Sequence, residues 1–257
     1  MAAGSSAIRD MITIQKKSGQ QRESMRYTNA ARYVVAVDCI IFGFDGEDLK
    51  LLLVRRGFEP EKGKWSLVGG FVQPGEGVEM AASRVLRNLT GLEGVYMEQL
   101  QTFGNPKRDP VERTLSVAFY ALLDIHQYER QLTEAGHPEW FLLQDVPSLI
   151  FDHEQMVTIA KAKLRAQAAF QPVLFELLPQ RFTLPVLQNL YESVFARSLD
   201  KRNFSRKILS SGLLVKTAMK EKSRSKKGAF YYTIDKRKYR TSFQSLVNGL
   251  ASKENGK

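Results

Sequence analysis

Short apolar runs separated by turn sequences occupy the first part of the chain and predict strands. YVVAVDCIIFGF (33–44) and LKLLLVRR (49–56) flank a Gly/Asp turn, and so they predict a β-hairpin. Similar runs predict further strands at 64–71, 96–103, 114–123 and 139–149.

Two segments of the same region have the period of an amphipathic helix. Apolar residues recur at 78, 81, 82, 85, 86 and 89, and Thr90-Gly91 ends this pattern with a typical helix C-terminus. Asp152 can cap a second helix that runs to about residue 169. Because helices inserted between strands favour a mixed sheet covered on both faces, residues 31–171 are predicted to form an α/β/α sandwich.

A different pattern begins at Pro172. Thr183 is a candidate N-cap, and an apolar stripe at helical spacing follows Pro185: Leu187, Leu190, Tyr191 and Val194. A second helix is predicted from Asp200, with Phe204, Ile208 and Leu209 on its buried side. Two short helices joined by a tight turn, the second basic on its free face, predict a helix-turn-helix.

Strand, basic loop and strand follow in residues 213–235 and predict a wing, whose tip carries Arg224, Lys226 and Lys227. Residues 172–257 hold 18 Lys and Arg against 6 Asp and Glu, whereas residues 1–171 hold 20 against 21. This asymmetry favours a nucleic-acid-binding module beside a neutral one. The alternatives are a solvated basic surface and a basic helical dimerisation cap. Residues 172–240 are the predicted winged helix, with a tail over 241–257.

Composition excludes several other classes of protein. No apolar run approaches the length of a membrane span. Residues 1–30 are polar and lack the apolar core of a signal peptide, so we expect a disordered lead and a cytoplasmic location. Cys39 is the single cysteine, which excludes an intrachain disulfide. The three histidines have no partner cysteines, so no zinc site and no cofactor are expected.

Residues 70–92, GFVQPGEGVEMAASRVLRNLTGL, span a loop and the first predicted helix. Six residues fall on the pattern G-x5-E-x7-R-E-U-x-E-E-x-G-U, with U aliphatic: Gly70, Glu76, Arg84, Leu86, Gly91 and Leu92. The segment therefore resembles the box of the Nudix hydrolases. Val85, Asn88 and Leu89 replace the three other glutamates of the pattern, on one face of the helix.

In an active Nudix enzyme those glutamates form a carboxylate face that holds Mg²⁺ against a diphosphate. Here that face is mostly apolar, so the resemblance implies the Nudix fold without a metal site, without catalytic residues and without hydrolysis. Glu79 and Glu98 could supply acids from elsewhere, which leaves a pyrophosphatase with non-standard acids as one alternative.

The two predicted domains, in this order, resemble the NrtR family of Nudix-related transcriptional regulators. The resemblance covers about residues 33–240 and is carried by WSLVGGFVQPGEGVEMAASRVLRNLTGL, RDPVERTLSVAFYALL, LIFDHEQMV and FTLPVLQNLYESVFARSLDKRNFSRKIL, in that order. It implies an α+β protein: an N-terminal Nudix-like α/β/α sandwich that binds a ligand, followed by a C-terminal winged helix-turn-helix. CIIFGF, LLLVRR followed by FEP, GGFVQ and LTGL followed by VYMEQ are most similar to the arabinose-responsive AraR branch of Bacteroidetes.

For the ligand, the resemblance implies eight pocket residues: Asp38, Arg56, Trp65, Phe71, Glu98, Asp109, Arg113 and His153. Trp65 and Phe71 also suit packing, and Asp109 with Arg113 also suits a loop ion pair. Asp38 lies between VVAV and CIIF, where a buried carboxylate needs a partner. His153 could instead extend the cap at Asp152.

For DNA, the predicted recognition helix presents Lys201, Arg202, Asn203, Ser205, Arg206 and Lys207, and the wing presents Arg224, Lys226 and Lys227. Arg202 and Arg206 suit guanine and Asn203 suits adenine, whereas the lysines suit phosphate. A two-fold homodimer would bind a palindromic operator.

The function expected from these features is a ligand-responsive DNA-binding repressor of sugar catabolism. Loss of the box acids removes the metal bridge to a diphosphate, which favours a neutral pentose such as L-arabinose as effector. An ADP-ribose-sensing regulator of NAD metabolism is the second hypothesis.

Overall fold

The computed structural model describes residues 30–170, 173–222, 228–235 and 237–238. The predicted lead before residue 30 and the predicted tail over 241–257 lie outside the described residues, as do Arg224, Lys226 and Lys227 of the wing tip. Over the part of the chain that is described, no helix is long and apolar enough to cross a membrane.

A mixed seven-stranded sheet forms the first domain, as predicted. Its central strand β1 (Val34–Phe44) pairs in parallel with β6 (Thr114–Asp124) and antiparallel with β2 (Leu49–Arg55) and β4 (Val68–Phe71). Ile40 and Phe42 of β1 pack on one side of the sheet, and Cys39 and Ile41 pack on the other. Both faces of β1 are therefore buried, which explains its continuous apolar sequence. The strands are β1 (Val34–Phe44), β2 (Leu49–Arg55), β3 (Trp65–Ser66), β4 (Val68–Phe71), β5 (Glu98–Phe103), β6 (Thr114–Asp124) and β7 (Glu139–Leu142).

Helices cover both faces of this sheet. Helix α1 (Val78–Thr90) ends at Gly91, whose φ of 80° and N–H bond to Arg87 O over 2.8 Å confirm the predicted C-terminus. A short helix α2 (Ile125–Tyr128) continues into a 3-10 turn at 129–131, and neither was predicted. Helix α3 (His153–Phe170) covers the opposite face from α1.

Two predicted strands are shorter than expected. The run 64–71 divides into β3 and β4 at Leu67, whose N–H donates to His153 Nδ1 over 3.2 Å instead of continuing a ladder. The run 139–149 leaves the sheet after Leu142, where the N–H of Asp145 closes a turn by donating to Leu142 O. Pro147 then removes a backbone donor.

The second domain has the predicted winged helix-turn-helix. Helices α4 (Leu184–Phe195) and α5 (Lys201–Ser210) pack beside a three-stranded sheet of order β8-β10-β9, made of β8 (Phe182–Thr183), β9 (Leu214–Glu221) and β10 (Ala229–Ile234). A 3-10 helix at 173–177 precedes them. Thr183 occupies the N-cap position as predicted, but it also pairs with Tyr231 in the sheet.

The prediction that Leu209 lies on the buried side of α5 is wrong. Phe204 and Ile208 pack against the core as expected, whereas Leu209 is 44% exposed. One residue along a helix turns the side chain by about 100°, so Leu209 leaves the buried stripe that its neighbour occupies.

One of the two hydrophobic clusters runs through both domains. Leu164 of α3 belongs to the same buried cluster as Leu187 and Leu190 of α4. Arg165 Nε also donates to Val194 O over 2.7 Å. Helix α3, together with β2, therefore packs against α4 of the helix-turn-helix.

Candidate effector site and nucleic-acid interface

The retained residues of the box brace its loop. Arg84 donates from Nε to Glu76 Oε2 over 2.9 Å and from Nη2 to Phe71 O over 2.9 Å, and it pairs with Glu76 Oε1 at 2.5 Å. The N–H of Gln73 also donates to Glu76. The hydrogen bond from Arg84 lowers the pKa of Glu76 to about 2. The carboxylate is therefore ionised at neutral pH and held by the loop.

The positions of the missing acids are mostly part of the core. Val85 is buried, and a Cβ on Gly70 would lie 2.9 Å from its Cγ2. Leu89 packs partly buried against the same cluster, whereas Asn88 is exposed. Within the described ranges, no group of three or more His, Cys, Asp and Glu side chains could hold a metal ion.

A polar cavity of about 40 Å³ lies on the side of the sheet that α3 covers. Five of the eight predicted ligand residues line it together: Asp38, Arg56, Phe71, Asp109 and His153. The other lining residues are Ala36, Phe58, Ser66, Gly69, Gly70, Arg108, Thr114 and Phe151.

Asp38 forms the floor of this cavity and has the partners that its burial requires. Ser116 Oγ donates to Asp38 Oδ2 over 2.5 Å, and Arg108 Nη2 lies 3.5 Å from the same oxygen. His153 Nε2 lies 3.5 Å from Asp38 Oδ1. A Cβ on Gly69 would come within 2.2 Å of that oxygen, so the carboxylate occupies the space that a side chain at position 69 would need.

His153 is neutral and directs its ring proton toward this floor. Its Nδ1 accepts from the N–H of Leu67, so the ring proton lies on Nε2, facing Asp38. Burial lowers the pKa of His153, and the nearby Asp38 opposes this shift without overcoming it. The imidazole therefore stays uncharged at neutral pH.

Arg108 is a cavity residue that the sequence did not indicate. It is 7% exposed, and it binds Asp152 through two bonds, from Nε to Oδ2 over 2.9 Å and from Nη2 to Oδ1 over 2.8 Å. The carboxylate of Asp152, predicted as a helix cap, thus binds Arg108, while its backbone oxygen accepts the N–H of Met156. Arg108 connects the cavity to the first turn of α3.

Aromatic rings surround the mouth of the cavity. Phe58 and Phe71 are 49% and 46% exposed, with ring centroids 6.2 Å apart. The guanidinium of Arg56 lies 4.1 Å from the Phe58 centroid and 5.0 Å from that of Phe151. Its Nε donates to Pro60 O over 2.5 Å, which fixes the side chain at the rim.

Three predicted ligand residues lie outside the cavity. Trp65 packs edge-on against Phe141 beneath the guanidinium of Arg55. Glu98 pairs with Lys163 at 2.6 Å and accepts from the hydroxyl of Tyr120.

Arg113 donates to the carbonyls of Gly104 and Asn105, whereas Asp109 accepts from the Val111 N–H. The structure therefore brings Asp109 to the cavity and uses Arg113 to shape its loop.

Helix α5 presents a basic, largely exposed face. Asp200 accepts from the N–H of Asn203 over 2.7 Å and begins the helix, and Arg206 donates to Asn203 Oδ1 over 2.9 Å. Five of the six predicted recognition residues are exposed: Lys201, Arg202, Asn203, Arg206 and Lys207. Ser205 is half-buried.

The wing carries two further cations that lie against an aromatic ring. Lys216 and Lys220 of β9 lie with their ammonium groups 3.6 and 4.4 Å from the Phe230 centroid. The alternating apolar pattern of the wing predicted its strands but not these contacts.

Comparison with known proteins agrees with both domains. Residues 32–162 match the NUDIX domain family, and residues 174–234 match the NrtR DNA-binding winged helix domain. The ADPR responsive transcriptional repressor NtrR of Acinetobacter baylyi is 32% identical over 218 residues, which are 83% of this chain and 87% of the relative. The chain belongs to the NrtR family.

The fold of this chain is also similar to that of a solved NrtR structure. Shewanella oneidensis NrtR complexed with a 27mer DNA superposes with a TM-score of 0.69 at 30% identity, over 80% of this chain and 95% of the other. The ADP-ribose pyrophosphatase of Methanocaldococcus jannaschii is 36% identical over 143 residues, which are 55% of this chain and 81% of the enzyme. In this NrtR chain the cavity lies in the NUDIX match and α5 lies in the winged-helix match.

Proposed function

We propose that the chain is a transcriptional repressor whose winged helix binds operator DNA and whose Nudix domain binds a small effector that releases the DNA. The observation that carries the proposal is a polar cavity built around buried Asp38, in the same chain as the exposed basic face of α5. The Acinetobacter relative is an effector-responsive repressor, which supports the same arrangement.

On DNA, α5 enters the major groove by its N-terminal half. Arg202 and Arg206 suit bidentate bonds to guanine, and Asn203 suits adenine. Cations at the helix ends and on the wing bind phosphate: Lys201, Lys207, Arg224, Lys226 and Lys227. A homodimer places two such helices on a palindrome.

The effector presents a pentose ring to the cavity floor. An ionised carboxylate can accept about four hydrogen bonds, and Asp38 receives a short one from Ser116, while Arg108 and His153 lie at 3.5 Å. Sugar hydroxyls can donate to this carboxylate. The exposed rings of Phe58 and Phe71 can cover the apolar face of a sugar.

A free pentose such as L-arabinose is the first candidate. The cavity lining holds two arginines, Arg56 and Arg108, against two acids, Asp38 and Asp109. This balance leaves no excess positive charge for a diphosphate. The similarity to the arabinose-responsive AraR branch points the same way, to regulation of sugar catabolism.

ADP-ribose, whose terminal ribose offers the same ring, is the second candidate. The Acinetobacter relative responds to ADP-ribose, according to its name, and matches over most of both chains. The exposed phenylalanine pair could stack on an adenine ring as readily as on a sugar. In this case the regulated genes would belong to NAD metabolism.

Either ligand requires the rim to open. A volume of about 40 Å³ accommodates roughly one water molecule, whereas sites for small molecules usually measure about 300–1,000 Å³. Phe58 and Phe71 border the mouth and are exposed, so they are the groups that must move, while Arg56 is held by Pro60 O.

Titration of the operator complex tests the proposal and separates the two effectors. Fluorescence anisotropy of a labelled operator would follow release by L-arabinose, D-xylose and ADP-ribose. We expect L-arabinose to release the DNA and Asp38→Asn to abolish its effect, with Glu98→Gln as a control outside the cavity. Release by ADP-ribose alone would refute the hypothesis that the effector is a pentose. A lack of specific DNA binding would refute the hypothesis that the chain is a repressor.

A further inference from the structure

We infer that the ion pair between Arg108 and Asp152 is the contact through which an effector acts on helix α3, and that α3 carries this action to the winged helix. Arg108 and Asp152 are thus positioning residues for DNA release. The inference rests on the proposed function, because it concerns regulation from the same cavity.

The cavity end of α3 is connected to the effector through one guanidinium. Arg108 lines the cavity and lies 3.5 Å from Asp38, while two short bonds hold it to Asp152. Asp152 itself does not line the cavity. A ligand that draws Arg108 or Asp38 toward itself therefore pulls on the residue immediately before the first turn of α3.

His153, the first residue of α3, also connects this turn to the cavity. Its ring lies between Asp38 and the N–H of Leu67, which separates β3 from β4. A ligand hydroxyl that takes over Asp38 changes the partner of His153 Nε2. Two neighbouring residues at the start of α3 thus respond to occupation of a single carboxylate.

The other part of α3 is fastened to the helix-turn-helix. Arg165 donates to Val194 O near the end of α4, and Leu164 is buried in the same cluster as Leu187 and Leu190. Asp152 and Arg165 lie about 20 Å apart along the axis of a straight helix. A helix packed at both ends moves as a rigid unit, so a shift at its start reaches α4.

Three variants test this path in the full-length protein. Asp152→Asn keeps the shape of the side chain but removes its charge on Arg108, and Arg165→Met removes the bond to Val194. Lys163→Gln is the matched control, because it breaks another α3 ion pair, with Glu98, on a side that does not line the cavity.

The measurement is the ratio of operator Kd with and without a saturating effector, using L-arabinose and ADP-ribose as probes, together with the effector Kd of the free protein. Allosteric coupling of this kind changes affinity by about 5- to 150-fold. We expect Asp152→Asn and Arg165→Met to lower the ratio by at least about threefold, while the effector Kd of the free protein changes by less than about threefold. Lys163→Gln should keep the wild-type ratio.

The outcomes separate the two proposals. If neither probe releases the wild-type protein from its operator, the proposed function fails and this inference fails with it. If a probe releases the wild type and both Asp152→Asn and Arg165→Met respond fully, the proposed function stands and the path through α3 is wrong. If Asp152→Asn does not fold, Arg165→Met alone decides in the same way.

Discussion

At the scale of single residues, Asp38 determines the character of the cavity. It is a buried carboxylate on an otherwise apolar strand, and its position depends on Gly69 because a Cβ there would meet Oδ1. Breaking a buried ion pair by removing one partner costs about 3–5 kcal/mol. Replacing Asp38 or Arg108 alone would therefore leave a buried charge without its partner and destabilise the domain.

The box residues lead to a prediction about catalysis. With Val85 in the core, Leu89 partly buried and Glu76 held by Arg84, the helix face lacks the acids that bridge Mg²⁺ to a diphosphate. We expect no Mg²⁺-dependent turnover of ADP-ribose or related dinucleotides above a no-protein blank, measured as released phosphate after phosphatase treatment. Turnover that Glu76→Ala abolishes would establish a pyrophosphatase with non-standard acids.

At the scale of elements, the sequence predicted best where local chemistry decides the structure. Gly91 ends α1 because the left-handed backbone there favours glycine, and Asp200 starts α5 because its side chain accepts an N–H of the first turn. The four longer helices, α1, α3, α4 and α5, and the central strands of both domains followed from such signals. An element as short as β8 has too few residues to show an alternation of apolar and polar positions, so the sequence does not predict it.

The cavity was only partly predictable, because its contacts join distant parts of the chain. Arg108 and Asp152 are 44 residues apart, and neither belongs to a periodic pattern that would reveal the other. Phe58 and Phe151 lie in loops whose sequences suggest turns and not a binding site. The resemblance to the Nudix regulators implied Asp38 as a pocket residue, and its charge within an apolar strand indicated that it needs a partner.

Helix α5 yields a prediction about DNA specificity. Arg202 and Arg206 are exposed on its face, and Arg206 is held by Asn203 before any DNA is bound. The double substitution Arg202→Ala with Arg206→Ala should weaken operator binding by about 2–6 kcal/mol, since each bidentate contact discriminates by about 1–3 kcal/mol. Competition between operator and random DNA in a mobility-shift assay measures this loss.

A matched substitution distinguishes base contacts from charge alone. Lys216→Ala with Lys220→Ala removes two wing cations, and it should weaken operator and random DNA by similar factors. The recognition helix has been assigned wrongly if loss of the two arginines weakens operator and random DNA binding by similar factors. It has also been assigned wrongly if specific operator binding survives their loss.

At the scale of the whole molecule, the net charge differs between the two domains, whereas one hydrophobic cluster joins them. The net positive charge is confined to residues 172–257, which made the two domains look independent in the sequence. The buried cluster, in contrast, continues from β1 through α3 into α4 and reaches Tyr232 of the wing sheet. An effector site in one domain can therefore influence the other through packed side chains.

The shared core predicts that the two domains unfold together. Leu190→Ala removes a fully buried side chain from α4 and should lower the free energy of unfolding by roughly 2–5 kcal/mol. Both tryptophans, Trp65 and Trp140, lie in the Nudix domain, so their fluorescence in a urea titration reports on a domain that does not carry the substitution. We expect their transition to shift to lower urea together with the far-ultraviolet circular dichroism.

Leu209→Ala, at a 44% exposed position of the winged-helix domain, is the control and should leave both transitions nearly unchanged. A tryptophan transition that stays in place while the circular dichroism shifts would show that the two domains are thermodynamically separate, and it would remove the mechanical basis for coupling through α3.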